Sequence, residues 1–250
     1  MIIPHRALVA CVVAGTAALA LMTAPALAQD ISVNFGEGSG LTERVIQMIA
    51  LLTVLSLAPS ILVMMTSFTR IVVVLSLLRT ALGTATAPPN AVIVSLALFL
   101  TAFVMGPALQ NAYETGVRPL IANEITAEQA FERGSGPLRE FMQKNVREKD
   151  LKLFVDMSKA EPPASAEELP LRVLVPAFMI SELKRAFEIG FLLFLPFLII
   201  DLVVASVLMS MGMMMLPPVV VSLPFKLIFF VLVDGWSLVA GSLVQSYGSG

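Results

Sequence analysis

Residues 45–66 read VIQMIALLTVLSLAPSILVMMT, 22 residues without a charge. As a helix this run rises roughly 33 Å, enough to cross the ~30 Å hydrocarbon core of a bilayer. Pro59 lies inside it and predicts a kink. The apolar character continues through Phe68–Leu82, now with Arg70 and Arg79. Ala87-Pro88-Pro89-Asn90 then reads as a rigid break. A second run covers Ala91–Leu109, with Gly106-Pro107 near its end. A third covers Phe191–Leu208 and holds Pro196 and Asp201. A fourth covers Val219–Val244 and holds Pro224, Lys226 and Asp234. The expected fold is an all-α membrane protein with four long, kinked helical runs arranged as two hairpins. Charges and prolines within apolar runs suit helices buried in protein as well as helices facing lipid.

Between the second and third runs lies the only polar region of any size, and it reads as a small helical insertion. Thr126 and Gln129 have the spacing of a capping box, and Gly134 reads as a helix stop. Pro137 suits the first turn of a following helix, along which Leu138, Phe141, Met142 and Val146 recur at helical spacing. Asp150 is placed to cap a further short helix bearing Leu151, Phe154 and Val155. Residues 161–170 read as a loop. From Pro176 a helix is expected to run unbroken into the third apolar run. Met179, Ile180, Leu183, Phe187 and Gly190 would line one face, and Glu182, Lys184, Arg185 and Glu188 the other. Lys184 and Glu188 stand four apart and can pair. The segments are 1–28, 29–44, 45–111 (first hairpin), 112–188 (insertion) and 189–250 (second hairpin).

The first 28 residues have the three parts of a secretory signal. Arg6 gives the positive start, Ala7–Leu21 the apolar stretch, and Ala26-Leu27-Ala28 a small-x-small site with cleavage expected after Ala28. The competing reading is a retained first transmembrane helix. Gln29, not cysteine, would follow the cut, which disfavours a lipoprotein anchor. Residues 29–44 become a periplasmic leader. Arg70 and Arg79 mark the loop between runs one and two as cytoplasmic, which makes the insertion periplasmic.

The composition agrees with a membrane protein. The chain is 57% hydrophobic and 14% charged, with a mean hydropathy of +0.89. A soluble domain usually carries about a quarter charged residues. A net charge of -2 gives no reason to expect nucleic acid. The single histidine, His5, and the single cysteine, Cys11, both lie in the cleaved segment. A mature chain without either has no His base, Cys nucleophile or His/Cys metal site, so neither an enzyme nor a cofactor is expected.

Two features remain as candidate sites. Asp201 and Lys226 flank the turn between runs three and four, within reach of one another along the two helices, and Asp234 is a rival partner for Lys226. Their bland role is a static ion pair, and their active role a proton relay or transporter site. At the same turn Met209, Met211, Met213, Met214 and Met215 crowd around Gly212, with Pro217-Pro218 beyond. Methionine either fills a buried turn or forms a deformable apolar constriction.

Longer strings resemble one known family. Met65-Thr-Ser-Phe-Thr-Arg70, Leu78-Arg-Thr-Ala-Leu-Gly83 and Ala87-Pro-Pro-Asn90 are similar to the first conserved block of the FliP family, and Pro176-Ala-Phe-Met-Ile-Ser-Glu-Leu-Lys184 to its second. Pro196-Phe-Leu-Ile-Ile-Asp201, Leu223-Pro-Phe-Lys-Leu227 and Val233-Asp-Gly-Trp236 resemble the remainder. The motif positions Arg70, Arg79, Pro88, Pro89, Asn90, Pro176, Glu182 and Lys184 thus match in order. The resemblance implies an inner-membrane export-gate subunit of the flagellar type III secretion apparatus. It further implies a pentameric homo-oligomer with FliQ, FliR, FlhB and FlhA partners at the basal body, passing unfolded flagellar subunits. It also implies helices lifted partly out of the bilayer into a conical, protein-walled pore, with the methionine turn as its gasket. An injectisome counterpart of the same family is the near alternative. A proton channel or secondary transporter using Asp201, Lys226 and Asp234 is the alternative from another class.

Overall fold

The structure, a computed structural model, describes residues 41–84, 86–158, 169–213 and 215–248. The signal peptide with Ala28, the leader up to Gly40, the loop around Pro162-Pro163 and Met214 lie outside the described residues. The chain divides into two units, Met1–Leu52 and Thr53–Gly250. The described part of the first is the start of one helix, and the remaining described residues belong to the second.

All regular elements among the described residues are helices. In chain order they are α1 (Leu41–Met64), α2 (Phe68–Ala81), α3 (Asn90–Ala112), a π turn (Tyr113–Val117) and α4 (Arg118–Ile121). Next come α5 (Ala127–Asn145), α6 (Glu148–Ser158), α7 (Leu171–Ser210), α8 (Pro218–Leu232) and α9 (Gly235–Gly248). Two are long and apolar enough to cross a membrane: the rod Asn90–Ile121, and α7. The pair α8–α9 makes a third if a span bent by 62° is counted as one. The sequence alone predicts four.

The core is built around α2. Ile71, Val74, Leu75, Leu78 and Ala81 recur at three- and four-residue intervals, so they form one stripe. That stripe buries Ile93 and Ala97 of α3, Ala186 and Phe197 of α7, Phe230 of α8, and Val239 and Leu243 of α9. A second cluster joins Met65, Met105, Leu138, Met142, Leu174 and Phe178 beneath the insertion. Helix α7 crosses α2 at Gly190, where an added Cβ would stand 2.3 Å from Leu77 Cδ1. A side chain there would push the two helices apart.

Several sequence expectations are corrected. Phe68–Leu82 does not continue the first run, because the chain breaks at Met65–Ser67 and α2 is a separate, central helix. Helix α7 starts at Leu171, so Pro176 sits inside it and does not begin it. The segment boundaries 111/112 and 188/189 fall within continuous helical stretches. Gly134 does not stop a helix and Pro137 does not start one, because α5 runs through both. The reason is local. Pro137 has no N–H for the carbonyl of Arg133, and the Thr115 hydroxyl donates to that carbonyl instead, at 3.4 Å. The π turn packs closely on α5 at this point because of Gly116, where an added Cβ would stand 2.7 Å from the Ala130 carbonyl oxygen and 2.8 Å from Gly134 Cα. The capping box is present: Gln129 N–H donates to Thr126 Oγ1 at 3.4 Å, and Thr126 N–H to Gln129 Oε1 at 3.2 Å.

Candidate functional site

Asp201 and Lys226 meet across the α7–α8 hairpin. Lys226 Nζ donates to Asp201 Oδ2 at 2.7 Å and to the carbonyl of Ala81 at 3.2 Å. Ala81 is the last residue of α2, whose final carbonyls have no partner within the helix. Lys226 therefore caps α2 while pairing with α7, and ties three helices at one nitrogen. Ser222, one turn before Lys226, donates its hydroxyl to Asp201 Oδ1 at 2.5 Å. Ser222 is absent from the sequence-based site, although its four-residue offset from Lys226 places both on one helical face. Asp234 is not the partner. The expected fourth run is interrupted there: Asp234 sits exposed in the α8–α9 break with φ of 49°, and its carbonyl accepts Leu238 N–H at 3.1 Å. The Asp-Gly pair at 234–235 is the turn signal that marks this break in the sequence.

A second buried ion pair is not expected from the sequence. Arg70 is assigned there to a cytoplasmic loop and Glu182 to a polar helix face. The structure buries both, with 1% and 0% of their surfaces exposed. Arg70 Nε donates to Glu182 Oε2 at 2.9 Å, and a second guanidinium nitrogen to Oε1. The third nitrogen donates to Ser246 Oγ at 3.0 Å, and the Tyr247 hydroxyl donates to Glu182 Oε2. Arg70 also lies over the Tyr247 ring, 3.8 Å from its centre. As Arg70 is inside the protein, it gives no support to a cytoplasmic assignment of that loop. The faces drawn for α7 also change, since Ile180 and Phe187 are exposed. Hydrophobicity places arginine and glutamate outside, and only pairing makes them tolerable inside.

The other motif positions shape turns and surfaces. Arg79 donates to Asn90 Oδ1 at 2.5 Å and to the Pro88 carbonyl at 3.3 Å, tying the α2–α3 connection, while Pro89 precedes the first turn of α3. The Ala87–Pro88 peptide is cis. Lys184 and Glu188 form an exposed pair at 3.8 Å. Asp150 is not the cap of α6; it stands in its first turn. It accepts from Ser181 Oγ at 2.7 Å and Arg147 Nε at 2.8 Å, which pins α6 to α7. Burial pushes its pKa up, but the hydrogen bonds from Ser181 and Arg147 and the charge of Arg147 outweigh this. The net effect holds the carboxyl below the ordinary 3.8.

At the tip of the α7–α8 hairpin the methionines point outward. Met209, Met211, Met213 and Met215 are all exposed, Met215 at 99%. They do not fill a buried turn within this chain. Gly212 has φ of 74° and ends α7 in a defined way. Its N–H donates to the Met209 carbonyl at 3.1 Å, and Met213 N–H to the Leu208 carbonyl at 3.0 Å, the paired bonds of a Schellman cap. Pro218 then opens α8 at its first position. Just behind the tip, an apolar groove of about 550 Å³ lies between Val203 and Val207 on α7 and Val221 and Phe225 on α8.

The sequence model of the FliP family matches residues 51–243, a stretch that contains both ion pairs' charged residues and the whole methionine tip. The chain belongs to the FliP family. Relatives agree over most of the length. The flagellar biosynthetic protein FliP of Caulobacter vibrioides is 64% identical over 234 residues, covering 93% of this chain and 88% of that one. The protein of the same name from Pectobacterium carotovorum is 58% identical over 204 residues, covering 82% and 79%. That of Bacillus subtilis is 55% identical over 202 residues, covering 81% and 91%. As a FliP family member the chain is a membrane protein, helical in all regular elements among its described residues, and its charged motif residues Arg70, Glu182, Asp201 and Lys226 hold those helices together.

Proposed function

We propose that this chain is a core export-gate subunit of the flagellar type III secretion apparatus, one wall element of a pore for unfolded flagellar subunits. Homo-oligomers, five-fold by family resemblance, would be joined by FliQ, FliR, FlhB and FlhA subunits in the inner membrane at the basal body. The insertion and the mature N-terminus would face the periplasm.

This reading rests on the hairpin tip. Four described methionines stand uncovered at the end of a hairpin whose base is fixed by Asp201, Ser222 and Lys226. Unbranched thioether side chains can close a gap and still yield to varied shapes. Brought together around one axis, such tips would form an apolar constriction that excludes water and ions until a polypeptide parts them. The apolar flank of α7 supports assembly, since Phe191, Leu192, Leu195, Ile199 and Leu202 are uncovered in the single chain. The flagellar names of the relatives favour the flagellar over the injectisome system. Lys226 makes two hydrogen bonds and is almost fully buried, which supports a static clamp over a proton relay.

Low-resolution imaging of the detergent-purified complex tests the proposal. A ring with a central, closed axis is expected. A population of monomers would contradict the gate.

A further inference from the structure

The last turn of α9 carries contacts of its own. Ser246 and Tyr247 supply two of the contacts that complete the buried Arg70–Glu182 pair. Tyr247 is held on three sides. Its hydroxyl donates to Glu182 and lies 3.4 Å from the Ser67 carbonyl. One ring face meets the Arg70 guanidinium. Phe141 of the insertion stacks on the ring, with centres 5.7 Å apart and planes 24° from parallel.

The rest of α9 is held differently. At its start the chain bends by 62° around Val233 and Asp234, the latter in the left-handed region. Between that bend and Ser246, α9 does not seal against α7. A cavity of about 210 Å³ remains, lined by Ile189 and Leu193 on one side and by Leu238, Ser242 and Leu243 on the other. A void lacks the contacts that would hold its walls together. The helix is therefore held by a hinge at one end, by Val239 and Leu243 against the α2 stripe along its middle, and by a polar latch at the other end.

We infer that α9 is a strap, latched at its tip by Tyr247 and Ser246 on the Arg70–Glu182 pair, which opens about the Val233–Asp234 bend when the latch is released. Latched, it covers Ile189 and Leu193 of α7. Released, it bares that flank together with the part of the α2 stripe that Val239 and Leu243 cover, while α2 and α7 stay joined because Arg70 and Glu182 keep one another as partners. Tyr247 is thus a positioning residue for α9.

Amide hydrogen exchange of the full-length, detergent-solubilised chain, read by mass spectrometry, tests this. Tyr247→Phe removes one hydroxyl and keeps the ring. Exchange within 236–247 should accelerate about tenfold, the scale of losing one hydrogen bond to a buried charge, while peptides from α2 and from 171–190 keep their rates. Ser246→Ala should act in the same direction and more weakly. Two outcomes overturn the strap. Unchanged exchange in α9 for Tyr247→Phe would mean the hydroxyl latches nothing. An equal rise in α2, α7 and α9 would mean that Tyr247 serves the whole fold and that α9 has no separate opening. Because the chain alone is measured, the result is independent of whether it forms a gate.

Discussion

Helix α7 carries one ion-pair partner in each half, and the two are built differently. Glu182 is sealed, bound by two guanidinium nitrogens of Arg70 from α2 and by the Tyr247 hydroxyl from α9, with no exposed surface. Asp201 keeps 29% of its side chain exposed and depends on one lysine and one serine. The surroundings follow the same gradient. From Val173 to Gly190, α7 buries Leu174, Ala177, Phe178, Ser181 and Ala186, whereas beyond Phe191 its buried side chains are Phe197 and Leu208. One half of the helix is finished by its own chain. The other leaves its flank uncovered and ends in the methionine tip.

That contrast can be tested by substitution. The largest loss is expected at the sealed end. Glu182→Ala strands Arg70 in a dry site and should cost about 3–5 kcal/mol of unfolding free energy, measured by denaturant titration in detergent. A loss under about 1 kcal/mol would mean that water reaches the pair. At the open end, Asp201→Ala and Lys226→Ala should each cost less, about 1–3 kcal/mol, and should lower the yield of assembled complex. The double replacement should be milder than the sum of the two. Strict additivity would mean that the two charges are not coupled. Normal assembly with export abolished would instead favour proton transfer.

Asp150 gives a pH-dependent contrast outside the spans. Its pKa is lowered in the folded chain, so its contribution is complete above the unfolded value near 3.8 and is lost as pH falls through the folded value. Asp150→Asn should therefore lower stability at neutral pH and flatten the acid limb of the stability–pH curve. An unchanged limb would mean that the contact does not couple to folding. The smallest effect belongs to the exposed Lys184–Glu188 pair, where Lys184→Ala should change stability by less than about 0.5 kcal/mol.

The sequence reveals those parts of the architecture that depend on periodicity and local chemistry. The apolar runs, the Thr126–Gln129 box and the unbroken helix from Pro176 into the third run are of this kind, because each is encoded within a few neighbouring residues. Asp201 and Lys226 are legible because a short turn forces their helices together. Arg70 and Glu182 are separated by 112 positions, and no local rule pairs them. A charge near the end of an apolar run looks like a surface anchor until the fold shows what surrounds it. The break at Met65–Ser67 is hidden for the opposite reason: the flanking residues are as apolar as the helices they interrupt, so hydropathy runs straight through. Hydropathy also runs through Asp234, where the Asp-Gly pair is the one local signal of the break.

The methionine tip is the part of the open end whose role matters most. Replacing Met213, Met214 and Met215 with alanine leaves the Asp201–Lys226 clamp and the Gly212 cap in place while removing the deformable side chains. Ion leakage across the membrane of cells expressing this variant, alongside filament-subunit export, is the direct measurement. A gasket at the tip predicts an assembled complex in a membrane that leaks ions. An assembled, exporting complex in a membrane that stays tight to ions would contradict it.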